Sequence, residues 1–152
     1  MIEIRQVAPA DVPAVIELVT ATLAEFKLAF GQGSATDEQI RTLPSSYTDA
    51  GGAFWVAVGG SLVGTCGVYP ISPTTLELRK MYLDPSARGT GLGRRLLDTA
   101  VDFARARGAT SIVLDTVHAM TRAIAFYEAH GFTRDDSQIR GSRCSRGYIR
   151  RL

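Results

Sequence analysis

Three glycines at alternate positions, Gly89, Gly91 and Gly93, stand in a basic segment that also holds Arg88, Arg94 and Arg95. Glycine has no Cβ, so its backbone can come close to a bound group. A strand-like run stops at Asp84-Pro85, just before this segment, and a helix-like run opens directly after it. Free N–H groups at a helix start suit an anion, and the arginines add positive charge. Strand, glycine turn and helix start together offer a cradle for a phosphate or pyrophosphate.

Three phosphate-binding patterns compete for residues 77–95. A P-loop needs a Lys-Ser/Thr pair after its last glycine, and Gly93 is followed by Arg94-Arg95. A dinucleotide fingerprint needs G-x-G-x-x-G. Its third slot holds Arg94 when counted from Gly89 and Leu96 when counted from Gly91. An acid about twenty residues on, Asp115, suits that fingerprint, but no βαβ unit opens the chain. The third pattern, Arg/Gln-x-x-Gly-x-Gly/Ala, is met by Arg88-Gly-Thr-Gly91-Leu-Gly93.

That third pattern resembles the acyl-CoA pyrophosphate loop of the GNAT family of N-acetyltransferases. The stretch Ala123-Ile-Ala-Phe-Tyr127-Glu-Ala-His-Gly131-Phe132 is similar to the family's second signature, a helix carrying a tyrosine and closed by Gly-Phe. The two lie in the family's order and at its usual separation. The resemblance is strong over residues 75–132 and weaker at both ends. It implies a single-domain α+β fold over residues 1–152, with a mixed central sheet flanked by helices and two strands that splay to hold acyl-CoA.

The implied chemistry is acyl transfer from a thioester to an amine. The amine must be neutral to attack, the developing oxyanion needs hydrogen-bond donors, and the leaving thiolate benefits from a proton. Acetyl-CoA is the implied co-substrate and a primary amine the acceptor, on either a small molecule or a protein or peptide. Carried over residue by residue, the pantetheine arm falls on Met81, Tyr82 and Leu83. The pyrophosphate falls on Arg88, Gly89, Thr90, Gly91, Leu92, Gly93 and Arg94. The competing reading of this loop is a helix start that needs glycine only for tight packing.

Tyr127 matches the family tyrosine near the CoA sulfur. A phenol's unperturbed pKa lies above that of a thiol, so it suits a proton donor to the leaving thiolate. The alternative is an aromatic that fills core. Glu77 and Asp115 are rival general bases. Asp115 ends a strand where some protein N-terminal acetyltransferases carry a glutamate. Strict alternation puts Glu77 on one strand face with Arg79, Met81 and Leu83. Either carboxylate also reads as a partner for a neighbouring arginine. One residue departs from the family: Met120 stands where many relatives have an asparagine. A different class of function, a non-catalytic acyl-CoA sensor, would keep the glycine loop and need neither base nor tyrosine.

The rest of the composition is unremarkable for a soluble domain. The chain has 152 residues, a net charge of +2, and only Lys27 and Lys80 as lysines. It has no apolar run long enough to span a membrane and no basic-then-apolar leader, so cytoplasmic residence is the expectation. The basic tail, 140–151, lacks interleaved aromatics apart from Tyr148, which argues for a solvated strand rather than a nucleic-acid site. Cys66 and Cys144 read as free thiols, and no close Cys or His pair starts a metal site. His118 and His130 read as structural. The family often dimerises through its last strands, and the tail leaves a homodimer open.

Periodicity supplies the scaffold for these residues. Residues 2–5 alternate as a strand. Asp11 is placed to cap a helix that runs to about Lys27 on the spacing of Val12, Val15, Ile16, Val19, Leu23 and Phe26. The stretch Gly31-Gln-Gly33-Ser34 breaks it, and residues 36–43 suggest a short helix ended by Pro44. Strands follow at 53–58, 61–71 and 75–83, joined by turns at Gly59-Gly60 and Ser72-Pro73. A helix to Arg107, a strand at 111–117, a helix at 121–130 and one or two final strands complete the chain. The acceptor pocket is expected around Phe26, Phe30, Tyr47, Trp55 and Tyr69.

Overall fold

The chain folds in the order β1 (Glu3–Gln6), α1 (Val12–Ala24), α2 (Ala35–Glu38), α3 (Ser45–Thr48), β2 (Ala53–Gly59), β3 (Ser61–Ser72) and β4 (Thr75–Leu83). The second half adds α4 (Leu92–Ala106), β5 (Ser111–Thr116), α5 (Thr121–Ala129), β6 (Thr133–Arg134) and β7 (Arg146–Arg151). The computed structural model describes residues 1–32 and 34–152; Gly33, part of the expected break after α1, lies outside the described residues. All seven strands join one sheet in the order β1-β2-β3-β4-β5-β7-β6. Every neighbouring pair is antiparallel except β4 and β5, which run parallel. The α+β expectation is met.

Alternation in β2 shows how the sheet makes two cores. Ala53, Trp55 and Ala57 face α4, where Leu92, Leu96, Leu97, Ala100, Val101 and Ala104 are buried. Phe54 and Val56 face the other way, onto Val15, Val19 and Leu23 of α1 and Tyr47 of α3. Burying one such side chain contributes about 1.5–3 kcal/mol, so the central strands are held from both faces. Trp55 packs edge-on against Phe103 at 5.5 Å, which places it on the α4 face, and Tyr47 is wholly buried. Neither is free to line an acceptor pocket, contrary to expectation.

Two local expectations need correction. α1 ends at Ala24, because Lys27 takes a left-handed conformation (φ 59°) and Leu28 N–H donates back to Leu23 C=O at 3.0 Å. This is a Schellman-type stop with lysine in the place glycine usually takes. Asp11 does not cap α1 through its side chain. Its carboxylate accepts Arg5 through two hydrogen bonds, at 2.7 and 2.9 Å, and the Ala8 N–H at 2.8 Å, so it ties the end of β1 to the turn before the helix.

The decisive irregularity lies in β4. Thr65 of β3 faces Tyr82 and Gly67 faces Arg79, so Lys80 and Met81 together oppose Cys66. This β-bulge reverses the strand's facing from Lys80 onward. Glu77 and Arg79 point toward the α1–α3 side, where Arg79 lies over the Tyr69 ring. Beyond the bulge Met81 and Leu83 pack on the opposite core, and Tyr82 packs on the α1 side. The expected shared face of Glu77 with Met81 and Leu83 is therefore wrong.

Lys80 sits at the bulge with φ 52°, a conformation that costs an L-residue about 1–2 kcal/mol. Its carbonyl accepts Thr65 Oγ1 at 2.7 Å, and its ammonium pairs with Asp37 of α2. Asp37 is fully buried and also accepts both Arg143 terminal nitrogens at 3.1 Å and the Gly31 N–H at 2.8 Å. Burial alone would raise the Asp37 carboxyl; hydrogen bonds from Arg143 and Lys80 outweigh it and hold the group below the usual carboxylate range. One carboxylate thus joins α2, β4 and the loop before β7.

Candidate active site

β4 and β5 pair over three residues only, Thr75 to Ser111, Leu76 to Ile112 and Glu77 to Val113. Beyond Glu77 the two strands separate. The gap opens a cleft of about 750 Å³, lined on one side by residues 77–83 and on the other by Leu114, Asp115 and Thr116. α5 contributes Tyr127, Phe126 and Ala123, the turn after α1 contributes Glu25 and Phe26, and the loop before β7 contributes Arg140 and Arg143. Of the five aromatics expected around an acceptor, Phe26 alone is in this lining.

The glycine segment closes one end. Gly89 (φ 74°) and Gly91 (φ 87°) both hold conformations that side chains rarely adopt, and an added Cβ at either would meet nothing within 4 Å. The loop surface there is open, bare backbone. α4 starts at Leu92, and its first intrahelical bond from this end runs from Arg95 N–H to Gly91 C=O at 3.2 Å. The earlier N–H groups are those an anion would take. Thr90 Oγ1 donates to Ala87 C=O at 2.5 Å and fixes the turn. Gly93 lets the helix approach α5: a Cβ there would lie 3.3 Å from Phe126.

The side chains of the loop divide. Leu92 is core at 2 % exposure, and Arg94 points into solvent toward Asp98, 3.8 Å away. Only their backbone serves the loop. Arg88 lines the cleft and grips Glu25, just past the end of α1, through two hydrogen bonds of 2.8 and 2.7 Å. Each group's hydrogen bonds hold its partner charged, Glu25 below and Arg88 above the ordinary value.

Tyr127 is buried at 8 % exposure, and burial pushes its phenol well up, helped by the neighbouring Tyr82. It therefore stays protonated at neutral pH. Glu77 stands at the apex of the cleft with 4 % exposure. Its Oε1 accepts Arg79 Nε at 2.6 Å, while Oε2 has no hydrogen-bond partner among the described residues. Asp115 is differently engaged: its Oδ2 accepts the backbone N–H groups of Arg140 and Gly141, both at 2.7 Å. Both thiols are free, and burial pushes each up to about 12, with Asp115 adding to the effect at Cys144.

A fold whose parallel pair splays beside a glycine-capped helix start is shared with known proteins. A family model described as the acetyltransferase (GNAT) family matches residues 19–132. The chain belongs to the GNAT family. Membership implies acyl-CoA-dependent N-acetyl transfer. The chain is 33% identical over 137 residues to the uncharacterized N-acetyltransferase YjgM of Escherichia coli, covering 87% of this chain and 82% of that one. It also matches mammalian relatives over less of their length, for example 50% of a mouse family 8 protein.

Among solved structures, a Staphylococcus aureus GNAT acetyltransferase superposes with a TM-score of 0.91 at 24% identity, covering 100% of this chain and 99% of that one. A Sinorhizobium meliloti phosphinothricin acetyltransferase in complex with acetyl-CoA gives a TM-score of 0.77 at 20% identity, over 99% of this chain and 88% of that one. Both likenesses show the fold.

Against the GNAT pattern, Met120 takes an apolar place: it is 6 % exposed and its sulfur accepts Thr116 Oγ1 at 3.6 Å. His130 Nδ1 meets Phe126 C=O at 2.7 Å and its ring stacks on Phe126, while His118 is held by Ser145. Sequence reading missed Lys80, Arg140 and Arg143 as cleft groups, and Asp37 as the buried carboxylate that holds Lys80 and Arg143. One signal was available: Arg79 and Lys80 are charges at adjacent positions inside a mostly buried strand. Strict alternation would bury one of them on each face, whereas a bulge lets both face the same side. No helix is long and apolar enough to cross a membrane among the described residues.

Proposed function

We propose that this chain transfers the acetyl group of acetyl-CoA to a primary amine by direct attack. The carrying observation is the divergence of β4 and β5 after Glu77, which leaves one edge of each strand unpaired in a cleft that ends at the glycine loop. Acetyl-CoA would supply the activated thioester. The unpaired edge of β4 around Met81, Tyr82 and Leu83 would bind the pantetheine arm, and the N–H groups from Gly89 to Arg94 the pyrophosphate. The bare loop surface at Gly89 and Gly91 fits such a group.

Glu77 is the better base. Arg79 orients its carboxylate through Oε1, and Oε2, which accepts no hydrogen bond among the described residues, is the oxygen to take a proton from the acceptor amine, directly or through water. Asp115 spends its Oδ2 on two backbone N–H groups, so we assign it to positioning the loop that carries Arg140. Tyr127, protonated at neutral pH, is the donor to the departing thiolate. Direct attack is favoured over an acyl-cysteine because neither thiol ionises near neutrality.

A thiol-release assay with acetyl-CoA and a panel of primary amines tests the proposal. Release dependent on one class of amine is expected. Saturable acetyl-CoA binding without release for any amine would contradict it.

A further inference from the structure

We propose that the acceptor is a free α-amino acid, with its ammonium held at Glu77 Oε2 and its carboxylate held by Arg140. This rests on the acetyl-transfer reading and names its acceptor. Glu77 lines the cleft, and its buried Oε2 accepts no hydrogen bond among the described residues; the Arg140 guanidinium faces it as an ion pair beyond hydrogen-bond length. Such an atom is costly to leave alone, so a cationic or N–H-bearing group belongs beside it. Arg140 Nη1 stands 3.6 Å from it, and Gln138 steadies that guanidinium through its side-chain oxygen at 3.3 and 3.4 Å.

The two groups form an anion–cation couple with the spacing of adjacent functional groups. An α-amino acid presents the complementary couple on one carbon. The remaining cations of this wall are already engaged. Arg79 is held by Glu77 and Gln39, while Lys80 and Arg143 are held by Asp37. Arg140 is the cation with capacity to spare, since its side chain is 43 % exposed and, among the described residues, bonds only to Gln138 apart from the ion pair with Glu77.

Charge also decides against the alternatives. Arg79, Lys80, Arg140 and Arg143 outnumber Glu77, Asp37 and Asp115 at this end, so a polyamine or aminoglycoside would bring further positive charge against a positive wall. A peptide N-terminus has an amide where an amino acid has its carboxylate, and would offer Arg140 no anion beyond Glu77.

The test has two readouts. Calorimetric titration of the twenty free L-amino acids into the CoA-saturated protein identifies the tightest. Its amide and its decarboxylated amine are then titrated, and all three are assayed for thiol release with acetyl-CoA. The free acid is expected to bind at least about tenfold more tightly than either analogue. Arg140→Gln is expected to erase that difference and leave the analogues' binding unchanged. Its backbone N–H, which Asp115 holds, survives the substitution. Equal binding of acid and amide, or an unaltered preference in Arg140→Gln, overturns the amino-acid proposal and leaves acetyl transfer standing. Failure of every amine to release thiol overturns both.

Discussion

At the residue scale, the account turns on Glu77 and Tyr127, two polar groups that burial would penalise unless they worked. Tyr127→Phe removes only the phenol oxygen and keeps the ring that packs against Phe132 and Phe126. We expect kcat to fall about 10²-fold, with the acetyl-CoA KM little changed, in steady-state kinetics. A KM effect alone would reduce Tyr127 to packing. Glu77→Gln should lower kcat by a similar factor, because a neutral amide cannot take the amine's proton. Recovery of rate at high pH, where more of the amine is already neutral, would mark the loss as that of a base. Tyr127 is named in the sequence by the resemblance, and Glu77 by strand alternation, on a face with Met81 and Leu83 that the bulge breaks. The role of Asp115 was not, because its partners are backbone N–H groups twenty-five residues away, which no side-chain pattern records.

At the element scale, the bulge in β4 and the carboxylate beneath it set the cleft wall. Asp37→Asn would leave Lys80 and Arg143 buried beside a neutral group, and should cost about 3–5 kcal/mol in denaturant unfolding. Lys80→Met, which leaves Asp37 its bonds to Arg143, should cost less. The Asp37 carboxyl lies lower in the folded chain than in the unfolded chain, where it titrates near about 4. Its contribution is therefore fully present above that pH and is lost as pH falls through the depressed folded value. Acid unfolding of Asp37→Asn should show a shallower dependence over that window. Gly91→Val would force a β-branched residue into φ 87° and disturb the pyrophosphate cradle; acetyl-CoA binding should weaken by at least about tenfold. The strands and long helices were legible from period and turn residues. The bulge is marked only by the adjacent charges of Arg79 and Lys80; a two-residue repeat read through Arg79-Lys80-Met81 passes over the extra residue and misplaces every side chain after it.

At the scale of the whole molecule, one sheet is buried on both faces and parted at one place. α4 and its glycine loop carry the chain from the end of β4 back to β5, and the two strands meet only at residues 75–77 and 111–113. The fold class was legible because two short signatures fixed the middle of the chain. The acceptor end was not, because it is assembled from α1, α2 and the loop before β7, which are far apart in sequence. A ligand that bridges the parted strands should stabilise the whole domain. At a hundred times its Kd, acetyl-CoA should add about 2.7 kcal/mol and raise Tm by about 5–10 °C in a thermal scan. The most direct test of the central claim is thiol release from acetyl-CoA in the presence of amines, run for the native chain beside Glu77→Gln and Tyr127→Phe. The account predicts amine-dependent release that both variants largely lose while still binding acetyl-CoA. Undiminished release in both variants, or none in the native chain despite bound acetyl-CoA, would contradict it.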